Sequence, residues 1–304
     1  MKTIFRGVDH VGIGVGDMDE ALAFYEGLGF SERLFDYTGR VPGPDRTARV
    51  VMLANPQATP VGPGRLKLVQ VLDGDGPPPA PQGGGWGELG ICEICLHVRG
   101  VEEVHQRLVR SGAVSLMEPL SGATPPNDVT LDISYVADPW GAKVELIEWT
   151  GLWRSLPGEP RAEGVNHVAF GVSDMDRTRA FYERLGLTEL VFESRDFFEP
   201  MAPWYPGDPP GQHMILLMAH QGAGIEPVVL DPPGPDLRGE WGHLGPYEFS
   251  IGVGNLERAT ARLVELGVEL VGPPATVDVG VGEWRYVYFR DPDDLYVSLV
   301  EARY

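Results

Sequence analysis

This sequence predicts an α+β fold made of four strand–helix–strand units arranged as two pairs, and three observations carry that expectation. The first is a long internal repeat. Val8-Asp9-His10-Val11-Gly12-Ile13-Gly14-Val15-Gly16-Asp17-Met18-Asp19 returns as Val165-Asn166-His167-Val168-Ala169-Phe170-Gly171-Val172-Ser173-Asp174-Met175-Asp176. Each copy is followed by Ala-Phe-Tyr-Glu-x-Leu-Gly, at residues 23–29 and 180–186. The second is a shared Trp-Gly-x-Leu-Gly-x-x-Glu at residues 86–93 and 241–248. The third is an Asp-Pro turn late in each copy, at Asp138-Pro139 and Asp291-Pro292. These landmarks are offset by 157, 155 and 153 residues, so two small deletions separate the copies.

The elements follow in order. Residues 8–15 alternate, with Val11, Ile13 and Val15 on one face and His10, Gly12 and Gly14 on the other. That pattern predicts a strand whose apolar face packs on an amphipathic helix near residues 19–28. Asp17 or Asp19 is the expected N-cap, and Gly29 ends the helix. Strands are expected at 47–54 and 65–72. A second unit reads as a strand at 92–98, a helix at 101–111, and strands at 129–136 and 142–149. In the second copy the same landmarks predict elements at 247–253, 256–266, 285–289 and 295–301. Residues 150–164 read as a connector between the copies. Pro-rich stretches at 77–81, 200–210 and 232–235 read as loops.

Bulk properties narrow the function. A chain of 304 residues is long enough for two ordinary domains. Lys and Arg number 24 against 44 Asp and Glu, a net charge of −20, which argues against nucleic acid and anionic membranes as partners. No apolar run reaches membrane-span length, and the first residues lack the apolar core of a signal peptide. Two cysteines do not make a disulfide framework, so a reducing cytoplasm is expected.

The combined motifs, Asp-His-Val-Gly-Ile-Gly-Val, Phe-Tyr-Glu-x-Leu-Gly and Asp-Pro-Trp-Gly-Ala-Lys-Val-Glu-Leu, resemble the vicinal oxygen chelate superfamily over nearly the whole chain. That superfamily includes glyoxalase I, methylmalonyl-CoA epimerase, extradiol dioxygenases, and fosfomycin and bleomycin resistance proteins. The resemblance implies four βαβββ modules paired into two glyoxalase-like domains, residues 1–150 and 165–304, joined by 151–164. It also implies a cup around a divalent metal, with ligands from the first and last strand of each module. Carried over residue by residue, the first copy offers His10, Lys67, Glu93 and Glu145. The second copy offers His167, Met214, Glu248 and Ser298.

Two pairings stay open. With modules paired in order, the metal set is His10, Glu93 and Glu145. In the swapped order it is His167 with Glu93 and Glu145. The in-order version is favoured here, because Lys67 and His97 then join one polar cup while the second copy degenerates as a unit, leaving at most a weaker site at His167 and Glu248. Alternation supports the donors: Glu93, Cys95 and His97 share one strand face, and Glu145 is out of phase with Val144 and Leu146. One imidazole and two carboxylates suit Zn²⁺, Mn²⁺, Co²⁺, Ni²⁺ or Mg²⁺, with Fe(II) less favoured. Blander readings compete. A lone strand histidine is often structural, Glu145 alone would read as surface charge, and Trp86 and Trp241 read as packing. Cys92 and Cys95 spell Cys-x-x-Cys, but in a regular strand they face opposite sides and cannot share a metal.

The leading expectation is a metal-dependent epimerase or isomerase that removes a proton beside a ketone, the metal stabilising the enediolate. Candidate proton carriers are His97, Lys67 and Tyr135, with Glu93 acting if it does not ligate. The acidic chain suits a neutral, oxygen-rich small molecule, and by resemblance a cyclitol ketone of the valiolone type. A homodimer is left open. The rivals are an extradiol ring-cleaving dioxygenase, which needs two imidazoles and one carboxylate, and a protein that sequesters a small molecule without chemistry.

Overall fold

The computed structural model describes residues 5–59, 62–81, 85–123, 130–150, 158–205 and 207–304. The first four residues and residues 151–157 of the expected connector lie outside the described residues.

Module one comprises β1 (Phe5–Gly14), α1 (Met18–Gly27), β2 (Glu32–Val41), β3 (Arg46–Ala54) and β4 (Arg65–Val71). Module two comprises β5 (Gly90–Arg99), α2 (Val101–Arg110), β6 (Val114–Ala123), β7 (Thr130–Ala137) and β8 (Lys143–Thr150). Module three comprises β9 (Arg161–Gly171), α3 (Met175–Arg184), β10 (Glu189–Ser194), a short 3-10 helix (Glu199–Trp204), β11 (Gly211–Met218) and β12 (Gly224–Asp231). Module four comprises β13 (Gly245–Val253), α4 (Leu256–Glu265), β14 (Ala275–Asp278), β15 (Glu283–Arg290) and β16 (Tyr296–Arg303). Each is a βαβββ unit. Residues 161–164, expected in the connector, instead open β9.

Two eight-stranded sheets result. The first runs β14-β15-β16-β13-β1-β4-β3-β2 and the second β10-β11-β12-β9-β5-β8-β7-β6. Module one therefore shares a sheet with module four, and module two with module three. The joins are antiparallel, β1 with β13 and β5 with β9. This corrects the favoured in-order pairing. β5 and β13 begin from the same motif and offer β1 equivalent edges, so local sequence leaves that choice open.

The strand alternation works as expected. Rear-facing Val11, Ile13, Val168 and Phe170 join all four helices in one apolar core between the sheets. Front faces line two separate cups. Phe35, Val50, Trp284 and Tyr286 belong to the first, and Tyr135, Ile147, Ala169 and Leu216 to the second. Asp17 caps α1 by accepting from the Asp19 and Glu20 amides at 2.9 and 3.0 Å, and Asp174 caps α3. Gly14 and its repeat partner Gly171 allow close chain crossings. A β-carbon there would fall 1.8 Å from the His243 carbonyl oxygen or 2.1 Å from that of Glu88.

Consecutive modules still hold each other, across the core. Tyr25 on α1 donates to Asp138 in the β7–β8 turn at 2.9 Å, and Tyr182 on α3 donates to Asp291 at 2.8 Å. Burial pushes both aspartates up, each to about 6, although turn amides and the tyrosine hydroxyls oppose the shift. No helix among the described residues is long and apolar enough to cross a membrane.

Candidate metal centre

The four central strands of the second sheet, β12-β9-β5-β8, each present one donor to its cup. Their registers place them: Glu226 on β12 sits beside Ala169, and Ala169 opposite Glu93. Cys95 pairs with both His167 and Glu145. His167 Nε2 lies 3.5 Å from Glu93 Oε1, from Glu145 Oε2 and from Glu226 Oε2. All four side chains are buried.

Three of the converging atoms, His167 Nε2, Glu93 Oε1 and Glu145 Oε2, have no hydrogen-bond partner. Buried polar atoms are normally satisfied, so orphans on two carboxylates and on the imidazole between them indicate a missing partner. An ion bound at about 2.0–2.2 Å to nitrogen and oxygen donors spaces its ligands roughly 3 to 3.5 Å apart, in keeping with these separations. The residues fit a divalent cation.

The remaining atoms are held. His167 Nδ1 lies 2.9 Å from Asn166 Oδ1, which orients the ring with Nε2 toward the cup. The Tyr135 hydroxyl lies 2.8 Å from both Glu93 Oε2 and Glu145 Oε1, and Trp86 Nε1 also donates to Glu93 Oε2. Trp86, expected as packing, therefore also steadies a donor. Burial, then the Glu93 charge, raises the Glu145 carboxyl to about 8. Burial also raises Glu226. Burial disfavours the His167 cation, but Glu226, Glu93 and Glu145 outweigh it and lift the imidazole to about 10. These shifts follow from crowding three carboxyls around one imidazole out of water, a crowding that a divalent cation would relieve.

An aromatic segment covers the cup. Met201 and Trp204 of the short helix pack into it with Phe197, Phe198 and Tyr205. The Trp204 ring meets Tyr135 edge-on, with centroids 4.9 Å apart.

The first sheet carries the same slots with other contents. On β4, β1, β13 and β16 they hold Lys67, His10, Glu248 and Ser298. Lys67 Nζ contacts the Glu248 carboxylate directly and donates to the Tyr288 hydroxyl at 3.1 Å. His10 Nε2 lies 2.9 Å from Ser250 Oγ, which bonds Ser298. Burial disfavours both cations, holding His10 down to about 4 and Lys67 well below its ordinary value. Glu248 is the lysine's direct partner, so an amine–carboxylate pair fills this cup.

Several expectations are corrected. His10 and Lys67 lie in the first sheet, away from Glu93 and Glu145. His167 and Glu248 lie in different sheets and form no weaker second site. His97 is buried with Nδ1 3.4 Å from Glu163 Oε2, and the charges acting on it are Glu163 and Arg99 rather than the cluster's carboxylates. Met214 sits on β11 and is not the counterpart of Lys67. Cys92 and Cys95 both enter the second cup's apolar cluster, because a register shift between Ile91 and Glu93 breaks the alternation. The structure does bring together His167, Glu93, Glu145 and Tyr135.

Glu226 was not foreseen. Pro227 beside it argues against a strand, and the sequence reading puts Met214 in the module's last-strand slot instead. β12 tolerates the proline because its pairing with β11 stops at Met214↔Val228 and resumes at Leu217↔Ile225, leaving Pro227 in the break.

Comparison with known proteins agrees with this architecture. Residues 9–130 and 164–299 each match a family model described as the glyoxalase/bleomycin resistance protein/dioxygenase superfamily. Among solved structures, glyoxalase I from Zea mays is 18% identical with a TM-score of 0.63, covering 97% of this chain and 92% of that one. A Bacillus subtilis protein provisionally described as a dioxygenase is 14% identical with a TM-score of 0.66, covering 99% and 87%. At these identities the likeness is one of fold.

Proposed function

The chain belongs to the glyoxalase/bleomycin resistance protein/dioxygenase superfamily, and from that premise we propose that it is a divalent-metal-dependent isomerase or epimerase moving a proton beside a ketone. The observation that carries the reading is two buried donor groups that share His167, one with Glu93 and Glu226 and the other with Glu145 and Cys95, with unpartnered atoms on His167, Glu93 and Glu145. A divalent ion held there supplies Lewis-acid chemistry to neighbouring oxygens of a substrate.

The protein's own groups do the rest. Glu145, beside His167 and Cys95 at one side of the cup, accepts the proton from the carbon beside the carbonyl. The Tyr135 hydroxyl, in contact with Glu145 and Glu93, relays a proton between them, so it can be returned to a different carbon or face. Trp86 and Tyr135 hold the Glu93 carboxylate in place. The aromatic cover from Phe197 to Tyr205 excludes water from the transfer. A neutral, hydroxylated ketone of the cyclitol class suits the acidic cup and the net charge of −20.

Extradiol oxygenation calls for two imidazoles and one carboxylate around iron, and this cluster supplies a single imidazole, which favours proton transfer. Incubating metal-loaded protein with α-hydroxyketones in D₂O tests the proposal. Deuterium should enter at the carbon beside the carbonyl. Absence of exchange with every ketone, together with oxygen uptake from catechols, would replace this reading with the dioxygenase.

A further inference from the structure

We propose that the Cys95 thiol is an additional metal donor in the second cup, giving the centre a sulfur ligand for thiophilic divalent ions. This rests on the metal-centre reading above. β5 carries Cys95 in register with Glu145 on one neighbouring strand and His167 on the other. Donor atoms of Cys95, Glu145 and His167 all lie within 4.8 Å of one another, and all three residues are buried.

Two independent observations point to a ligand there. Glu145 Oε2 and His167 Nε2 are buried and unpartnered beside the sulfur. The other cup shows what a side chain at this position reaches. Ser250 is the repeat counterpart of Cys95, on β13 as Cys95 is on β5. Its Oγ lies 2.9 Å from His10 Nε2 and bonds Ser298 Oγ. His10 and Ser298 are the counterparts of His167 and Glu145. The position therefore bridges the same two slots in both cups, once with a hydroxyl and once with a thiol.

The chemistry balances without a redox step. The S–H bond breaks, a sulfur–metal bond forms, and the proton leaves to solvent. Thiolate donors favour Zn²⁺ and Co²⁺ over Mg²⁺ and Mn²⁺, so Cys95 sets the metal preference of an otherwise oxygen-rich site. Cys92 shares the apolar cluster but is absent from the donor group, which makes it the natural control.

The test is the absorption spectrum of the full chain, stripped of metal and reloaded with Co²⁺ alone, with cobalt content measured on the same sample. The expected result is a sulfur-to-cobalt charge-transfer band in the near ultraviolet, beside visible d–d bands. Cys95→Ser and Cys95→Ala should lose that band while keeping their cobalt, and Cys92→Ser should keep it. Bound cobalt with d–d bands but no sulfur band in the unsubstituted protein would overturn the thiol ligand and leave the metal centre standing. Failure to bind cobalt at all would overturn both.

Discussion

Glu226 and Lys67 occupy equivalent positions in the two halves, and that exchange decides what each cup holds. In one cup a carboxylate joins two more around His167. In the other the Lys67 amine meets Glu248, and the histidine turns to a serine instead. Glu226→Ala should therefore cost the protein its bound metal, as read by metal analysis, even though its neighbour Pro227 hides it in the sequence. Tyr135→Phe should keep the metal and slow turnover by roughly 10²-fold or more, the usual worth of a positioned proton carrier. Lys67→Met should leave metal content unchanged but destabilise the fold by about 3–5 kcal/mol, because Glu248 is then buried without its partner. Lys67→Met combined with Glu248→Leu should recover much of that loss in denaturant titrations. At this scale the sequence puts Glu93 and Glu145 on a strand front face, where charge has few explanations, but favours His10 over His167 as their imidazole. His97 was misread because alternation gives a face and not a neighbour.

The elements that hold motifs were readable, and the ones that merely fill the sheets were not. α1 and α3 follow directly from the Asp caps and the Phe-Tyr-Glu-x-Leu-Gly runs. Edge strands β2, β6, β10 and β14 are not given by the sequence reading, since they lie at the sheet edges and carry mixed polar residues, and neither are β11 and β12. The helix-to-turn ties are a further consequence of the repeat. Asp138 and Asp291 each titrate near 6 when folded, against an ordinary value of 3.8. The folded state thus holds these protons more tightly than the unfolded chain. Their contribution to stability is complete below about pH 4 and is lost as pH rises through about 6, by up to roughly 3 kcal/mol for each group. The double variant Asp138→Asn, Asp291→Asn lacks this dependence. Its stability relative to the unsubstituted protein should improve between pH 4 and pH 7.5. A difference that stays constant with pH would show that neither aspartate titrates as described.

The largest difference between sequence and structure lies in how the four modules assemble. Composition, repeat length and motif spacing all point to two cups from four modules, and the two sheets agree. Which module meets which depends on long-range strand pairing between near-identical edges, and no local pattern records it. The swapped arrangement places Glu93 and Glu145 from the first half beside His167 and Glu226 from the second. Either half made alone, residues 1–157 or 158–304, should then bind no metal at the level of the whole chain, while co-expression should restore binding. The most direct test is the metal content of purified His167→Ala beside His10→Ala. The swapped centre predicts that His10→Ala keeps its metal ion and His167→Ala loses it. Loss from His10→Ala with retention in His167→Ala would contradict the assembly and the centre built on it.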